Sequence, residues 1–85
     1  MIIRYTSTFA KHYRKLPLRI KKQAPQREKI FRKNPMDSRL KTHALIGKLN
    51  GYFAFSITLR YRIIFVFEPV GSATFIDVGT HTIYR

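Results

Sequence analysis

Residues 53–78 read FAFSITLRYRIIFVFEPVGSATFIDV, and this stretch decides the fold. Apolar residues alternate with smaller or polar ones over 53–59, and this period of two predicts a half-buried strand. Segment 61–68 is apolar almost throughout, which is typical of a central strand. A turn is predicted at 69–72, because it holds Pro and Gly, and a third strand follows over 73–78. We therefore expect an antiparallel meander of three strands.

The third strand of this meander also alternates. Ile76 and Val78 occupy even-numbered positions, and Phe75 and Asp77 occupy the odd-numbered positions between them. Because successive side chains of a strand point to opposite faces, we expect each pair to share a face of the sheet. Asn50-Gly51 is a turn signal that marks the start of the meander.

The chain upstream predicts a strand and a first helix. Ile2, Ile3 and Tyr5 indicate a short strand over 1–5, and Thr6, Ser7 and Thr8 offer an N-cap. Phe9, Tyr13 and Leu16 then follow at helical spacing, and Pro17 ends the helix. The first strand is thus followed directly by a short helix with one apolar face.

A second helix is predicted over 18–33, where Ile20, Ala24 and Phe31 form one face. Pro25 lies inside it, and a proline removes a backbone donor at a cost of about 3 kcal/mol in a helix interior. We therefore expect a kink or a break near 21–25. Asn34-Pro35 stops the helix.

Residues 36–51 show no period and predict an irregular segment, with Leu40, Leu45 and Leu49 beneath the sheet. The order is then β-α-α-β-β-β, an α+β fold in which an antiparallel sheet packs on a helical pair. Since 85 residues suffice for only one small domain, residues 1–85 are predicted to form a single domain.

The charge is distributed unevenly along the chain. The 17 Lys and Arg against 4 Asp and Glu give a formal charge of +13. Residues 1–50 hold 14 basic and 2 acidic residues, a charge of +12, whereas residues 51–85 hold 8 of the 12 aromatics. A charge of this size attracts polyanions, so nucleic acid is the first candidate partner, an acidic protein the second and a membrane surface a weaker third. The basic face of the predicted helices, including Lys21 and Lys22, is either simply solvated or contacts phosphates.

The composition excludes several classes of functional site. Without cysteine there is no disulfide framework and no thiolate nucleophile or zinc ligand, which suits a reducing cytoplasm. Three histidines without i,i+4 spacing and four scattered acids predict no metal site and no cofactor. No Gly-rich phosphate loop is present. No apolar run approaches the roughly 18 residues that span a bilayer, and no signal peptide is apparent.

An enzyme with this composition must work with His, Tyr, Arg and Lys. That set suits metal-free cleavage of RNA, in which a base takes the 2′-OH proton, cations stabilise the charged phosphorane and an acid protonates the leaving 5′-oxygen. Histidine suits the proton transfers because its unperturbed pKa is about 6.5. A passive basic module that only binds RNA or DNA remains the alternative.

The C-terminus is the first candidate site. His81 follows the last strand, and Tyr84 and Arg85 stand within four residues of it. A base, an aromatic ring and a cation would therefore meet at one end of the sheet. The alternative is a histidine that is structural or merely exposed.

Two further groups have both structural and functional interpretations. His43 lies between apolar residues, where it is either a hydrogen-bonded loop residue or a second proton-transfer group, and His12 is interpreted as a surface residue. Arg60 and Arg62 flank Tyr61 at the start of the second sheet strand, so the period of two predicts that they point to the same face. They are either surface residues at the sheet edge or phosphate ligands.

Three stretches together resemble the RelE/ParE toxin superfamily, and the small RelE/YafQ-like toxins in particular. They are LKTHALIGKL at 40–49, YRIIF at 61–65 and DVGTHTIYR at 77–85. The resemblance runs over nearly the whole chain and is specific from residue 40 onward. It implies a RelE-like fold and a cytoplasmic toxin of a type II toxin–antitoxin system. Such a toxin is a ribosome-dependent mRNA endonuclease that a cognate acidic antitoxin neutralises in a hetero-oligomer.

The resemblance also implies roles for single residues. His81 is similar to the proton-transfer histidine of YafQ-like and YoeB-like members, Tyr84 to the aromatic that stacks on an mRNA base, and Arg62 to the arginine that stabilises the scissile phosphate. His43 is similar to the histidine of the YafQ-like loop. Basic residues near RNA in the family correspond here to Lys41 and Lys48.

The sequence departs from the family pattern at the middle of the sheet. The second strand histidine and the acid of YafQ-like members correspond here to Ser56 and Arg60, and the YoeB-like glutamate base has no clear counterpart. The implied site is therefore a hybrid, with His81 and His43 for proton transfer and with Arg62, assisted by Arg60 or Arg85, for charge. A ParE-type inhibitor of DNA gyrase and a catalytically degenerate toxin are the alternatives.

Overall fold

The computed structural model describes the side chains of residues 1–83 and the backbone of Tyr84. It contains five strands and two α-helices: β1 Ile2–Tyr5, α1 Ser7–Arg14, α2 Leu18–Lys33, β2 His43–Ala44, β3 Phe53–Ser56, β4 Arg62–Glu68 and β5 Ser72–Gly79. Three short 3₁₀ turns complete it: Ser38–Leu40, Gly47–Leu49 and His81–Tyr84. No helix among the described residues is long and apolar enough to cross a bilayer.

The strands form one sheet in the order β1-β5-β4-β3-β2. The meander β3-β4-β5 is antiparallel, as predicted, and the two helices pack on the sheet, so the predicted α+β fold is confirmed. Strand β1 adds to β5 in the parallel direction, with Ile2 opposite Ser72, which makes the sheet mixed. The two-residue β2 pairs with β3 inside the segment predicted to be irregular, because two residues are too few to show a period.

The main core fills the space between the helices and the sheet. Its centre is aromatic: Phe31 of α2 contacts Phe55, Phe65 and Phe75 from three neighbouring strands, with ring centroids 4.8 to 5.3 Å apart. All four rings are fully buried. Leu40 is buried in the same core, so it lies beneath the sheet as predicted.

The opposite face of the sheet carries only a small apolar cluster, and we call it the open face. Leu45, Ala54 and Ile64 are buried there, and Leu49 and Ile83 pack against them. Leu45 and Leu49 therefore lie on the face opposite to Leu40. The segment before β3 passes around the edge of the sheet and covers part of the open face.

Helix α2 runs without a break through Pro25, so the predicted break is wrong. Pro25 has no N–H to donate to the carbonyl of Lys21, but the Tyr13 hydroxyl of α1 donates to that carbonyl at 3.3 Å. Burial and then the charge of Glu28 raise the pKa of Tyr13, which keeps the hydroxyl a donor. A side chain from the neighbouring helix thus replaces the missing backbone donor.

We expect Tyr13→Phe to lower the free energy of unfolding by about 1 kcal/mol, because the Lys21 carbonyl then loses its partner. In a Pro25→Ala background the restored N–H at position 25 satisfies the same carbonyl, so the cost of Tyr13→Phe should shrink. Urea unfolding of the four proteins in a double-mutant cycle measures the difference. An equal cost in both backgrounds would contradict this explanation.

Strand β5 contains a bulge that changes which residues share a face. The register with β4 shifts between Ile64 and Phe65, so that Phe75 and Val78 both pack in the main core while Ile76 packs on the open face. The predicted pairing of Ile76 with Val78 on one face is therefore wrong. A bulge inserts one residue into a strand and reverses the alternation beyond it.

Candidate functional site

The contact at the centre of the site joins Arg62 and His81. Arg62 is the first residue of β4, and His81 opens the 3₁₀ turn that follows β5. Nη1 of Arg62 lies 2.6 Å from Nε2 and 3.0 Å from Nδ1 of His81. A guanidinium carries only donors, so the imidazole of His81 is the acceptor of this bond. The structure therefore brings together two of the residues that the sequence singled out.

Arg62 is fixed by the sheet on both sides. It lies opposite Ser56 of β3 and opposite Gly79 of β5, and Ser56 is buried. Within the described residues, Nε of Arg62 is buried and has no hydrogen-bond partner. A buried donor without a partner is costly, so the guanidinium keeps an N–H that is unsatisfied by the protein.

His81 is positioned by a tight turn over Gly79. The N–H of Ile83 donates to the carbonyl of Thr80 at 3.1 Å and closes the turn. A Cβ at Gly79 would lie 2.6 Å from Cγ2 of Ile83, closer than real Cβ atoms approach. Only glycine allows the turn to fold back so closely on the end of β5, where His81 meets Arg62.

We expect Gly79→Ala to push Ile83 away from the sheet and so to disturb the Arg62–His81 contact, at a cost of about 1–3 kcal/mol in stability. The second variant, Gly79→Ala with Ile83→Leu, removes the branch methyl that the new Cβ meets and should recover part of the loss. Thermal unfolding and the chemical shifts of His81 measure both effects. Full stability of Gly79→Ala alone would contradict the close packing.

His43 lies on the same face of the sheet as Arg62 but two strands away. It pairs with Ala54, which belongs to the open face, and its Nδ1 lies 3.0 Å from the carbonyl oxygen of Lys41. With about 4.8 Å between strands and about 3.4 Å between residues along a strand, the α-carbons of His43 and Arg62 are about 12 Å apart. His43 therefore borders the site and is exposed.

The 3₁₀ turn before β2 is held by an ion pair. Arg39 donates from its side chain and from its backbone N–H to the Asp37 carboxylate, and these bonds, the side-chain bond above all, lower the pKa of Asp37 to about 2. Lys41 ends this turn in a left-handed conformation with φ 54°. Lys48 is exposed in the next turn, which packs on the open face through Leu49.

Sequence comparison finds no matching family model and no matching curated protein. Several solved structures share the fold. A YoeB/ParE toxin from Agrobacterium tumefaciens matches with a TM-score of 0.80 and 19% identity over 95% of this chain and 99% of its own. YafQ from E. coli matches with a TM-score of 0.69 and 20% identity, over 96% and 94%. A chain of the toxin–antitoxin complex RelBE2 from Mycobacterium tuberculosis has the same TM-score and identity, over 94% and 96%.

The chain has the RelE/ParE toxin fold. The comparisons cover 94 to 96% of this chain and 94 to 99% of the other chains, so the similarity extends over nearly the whole fold. At 19 to 20% identity, the fold is what these proteins share with this chain.

On this RelE/ParE fold, the predicted RNA-binding residues divide between two faces. Lys21 and Lys22 belong to α2, on the side of the sheet opposite to His81. Arg60 lies in the turn before β4 and lines a shallow cleft with Arg19 of α2. The prediction that Arg60 shares a face with Arg62 is wrong, because β4 begins only at Arg62 and its alternation does not extend to Arg60.

The C-terminal residues are described only in part. Tyr84 ends the last 3₁₀ turn. The expected stacking role of its side chain, and the expected role of Arg85, lie outside the described residues. Among the residues that are described, no three of His, Cys, Asp and Glu lie close enough together to hold a metal ion.

His12 makes a contact that the sequence did not indicate. It was expected to be a plain surface residue, but its Nδ1 lies 2.6 Å from Oδ1 of Asp77, which also accepts the N–H of Val78. The pair joins α1 to β5 across 65 residues of sequence. No local pattern could have revealed it, because it depends on α1 packing beside β5.

Proposed function

We propose that this chain is the toxin of a type II toxin–antitoxin system and that it cleaves mRNA on the ribosome. The observation that carries the proposal is the contact between Arg62 and His81 at the end of the sheet. It joins a cation to a proton-transfer group, the two functions that metal-free RNA cleavage needs. The fold shared with the YafQ and RelBE2 structures supports the toxin role.

In the proposed reaction, the 2′-oxygen of the RNA bonds to the neighbouring phosphorus and the bond from phosphorus to the 5′-oxygen breaks. A general base takes the 2′-OH proton, and a general acid gives a proton to the departing 5′-oxygen. We assign one proton transfer to His81 and the charge of the phosphorane to Arg62. His43 is proposed as the second proton-transfer group, Tyr84 as a stacking residue, and Arg60, Arg85 and the four lysines 21, 22, 41 and 48 as RNA contacts.

Large positive charge supports the proposed partners, mRNA and the ribosome. The formal charge of +13 on 85 residues attracts the RNA phosphates and raises the rate of association. Because ribosomes are cytoplasmic, we place the protein in the cytoplasm.

The test uses the purified protein with ribosomes that translate a defined mRNA, followed by mapping of the mRNA 5′ ends. We expect new 5′ ends inside the ribosome-covered stretch and no cleavage of the same mRNA without ribosomes. Intact mRNA together with relaxed plasmid DNA or a DNA-damage response on induction would overturn the proposal in favour of a gyrase inhibitor. RNA binding without any cleavage would favour a degenerate toxin or a basic binding module.

We propose that a cognate antitoxin neutralises the chain within a hetero-oligomer and that its acidic, partly disordered segment folds on the helices. A groove of about 510 Å³ runs between α1 and α2. Tyr5, Phe9 and Tyr13 line it as a stacked series with centroids 5.4 and 5.7 Å apart. Arg14, Lys29 and Arg32 also line it, together with Glu28, so an apolar surface meets a surface with a net positive charge there.

We expect Lys29→Glu to weaken binding of the antitoxin encoded beside the toxin by about tenfold or more, because like charges then face each other across the groove. Lys33→Glu, one helical turn further along α2, makes the same charge change as a matched control and should have a smaller effect. Calorimetric titration at low and high salt measures both. An affinity that does not change with salt would contradict the electrostatic part of this proposal.

A further inference from the structure

A basic cleft, separate from the groove between α1 and α2, lies on the helix side of the sheet, at the same end as Arg62. Arg19, Thr58, Leu59, Arg60 and Tyr61 line it. The ring of Tyr61 packs against the main core, whereas Arg62, the next residue, contacts His81 on the open face. Two residues adjacent in sequence, Tyr61 and Arg62, thus belong to the cleft and to the candidate active site, which lie on opposite faces of the sheet.

The turn that forms this cleft is held in one shape by its own hydrogen bonds. Oγ1 of Thr58 accepts the N–H of Arg60 at 3.3 Å and that of Tyr61 at 3.2 Å. The carbonyl of Tyr61 accepts the N–H of Ile57 at 2.8 Å and that of Thr58 at 3.2 Å. These bonds fix the backbone at Arg60, and Arg60 and Arg19 are both exposed.

Among residues 1–83, no acidic side chain lines this cleft. The chain has only four acidic residues, and each contacts a group elsewhere: Glu28 contacts Arg32 and Tyr5, Asp37 contacts Arg39, Glu68 contacts Thr74, and Asp77 contacts His12. No ion pair in residues 1–83 involves Arg19 or Arg60. Two arginines therefore line one concave surface, and no carboxylate side chain of residues 1–83 lines it with them.

The position of Arg19 at a helix N-terminus also favours the binding of an anion. Arg19 is the second residue of the 16-residue helix α2, whose N-terminus has no side-chain cap. The helix dipole makes this end positive, which disfavours a cation there and favours an anion. A guanidinium binds a phosphate through two parallel hydrogen bonds, so two of them lining one cleft suit a phosphodiester.

We propose that this cleft binds a backbone phosphate of the same RNA strand whose neighbouring phosphate lies at Arg62 and His81. The strand crosses the sheet end over the turn 58–61 and contacts both faces. The path of the RNA strand past Arg62 and His81 rests on the proposed function. The phosphate-binding site in the cleft does not depend on it. It gives Arg19, which no sequence pattern indicated, a role in holding RNA.

The experiment measures binding of a single-stranded 2′-O-methyl RNA, which cannot be cleaved by 2′-oxygen attack, to the purified chain over a range of salt concentrations. Arg19→Gln with Arg60→Gln is compared with Lys15→Gln with Lys33→Gln, which removes the same charge from exposed positions outside the cleft. Each phosphate contact contributes about 0.7 to the slope of log affinity against log salt. We expect the arginine pair to lower the slope by about 1.4 and the affinity by about tenfold or more, and the lysine pair to have less than half of that effect.

A third variant, Arg19→Lys with Arg60→Lys, distinguishes a phosphate site formed by two guanidinium groups from a general effect of positive charge. It keeps the salt slope near that of the unmodified chain but should still weaken binding, because an ammonium cannot form the paired bonds. Equal slopes and affinities for the arginine and lysine pairs, or no binding of the RNA by the unmodified chain, would overturn the inference. Cleft-dependent binding with no cleavage on ribosomes would instead overturn the proposed function and leave this site standing.

Discussion

The His81→Ala variant is expected to cleave mRNA on translating ribosomes about 10²- to 10⁴-fold more slowly than the unmodified protein, because one positioned proton-transfer group contributes a factor of that size. His81 is exposed in the 3₁₀ turn, so its removal should lower the free energy of unfolding only by about 0.5–1.5 kcal/mol, the contribution of the hydrogen bond to Arg62. Growth after induction and 5′-end mapping of the mRNA measure the loss of activity, and urea unfolding measures the stability.

Two matched variants show whether the loss is specific to His81. His12→Ala removes a histidine of α1 that contacts Asp77 and not Arg62, and we expect it to keep most of the activity. Arg62→Lys keeps the positive charge but loses the planar fork, so it should lower cleavage without lowering nonspecific binding to RNA. If His81→Ala arrests growth as strongly as the unmodified protein, His81 has no part in the reaction.

The site illustrates what sequence alone can and cannot predict. Arg62 and His81 were both identifiable as candidates, one at the start of an apolar strand and one just beyond the last strand. Their contact depends on the register that places Gly79 opposite Arg62. The hairpin pairs Glu68 with Ser72, and the bulge beyond it shifts the register by one residue, because without it Arg62 would lie opposite Val78. The hairpin was predictable from its turn residues but the bulge was not, so the fold and the two candidate residues, though not their contact, were accessible from the sequence.

The features that were missed all depend on contacts distant in sequence. Strand β1 pairs with β5 across about 70 residues, and the pairing of His12 with Asp77 follows from it. The bulge in β5 reversed the faces predicted for Ile76 and Val78, because a period of two carries no sign of an inserted residue. Pro25 was given its ordinary helix-breaking effect, since the donor that replaces its N–H comes from another helix. In each case tertiary packing overrides a correct local rule.

Phe31→Ala is expected to cost about 3–5 kcal/mol, the range for removing a fully buried phenylalanine. The ring is fully buried and meets Phe55, Phe65 and Phe75 at centroid distances of 4.9, 4.8 and 5.3 Å. A stability of about 0.05–0.15 kcal/mol per residue gives a chain of this length about 4–13 kcal/mol in total. The variant should therefore lose a large part of its stability, which urea unfolding and the melting temperature measure directly.

Phe31→Leu is the matched control, because it keeps an apolar side chain at the same position and should cost less. A loss below about 1 kcal/mol for Phe31→Ala would contradict the central position of this ring. The three strands that meet Phe31 also carry Arg62 and the turn with His81, so this variant should lose activity and stability together, and a stabilising antitoxin should restore its folded fraction. His81→Ala should instead lose most of its activity with a much smaller loss of stability. Comparing the two therefore separates the residues that build the sheet from those that act at its edge.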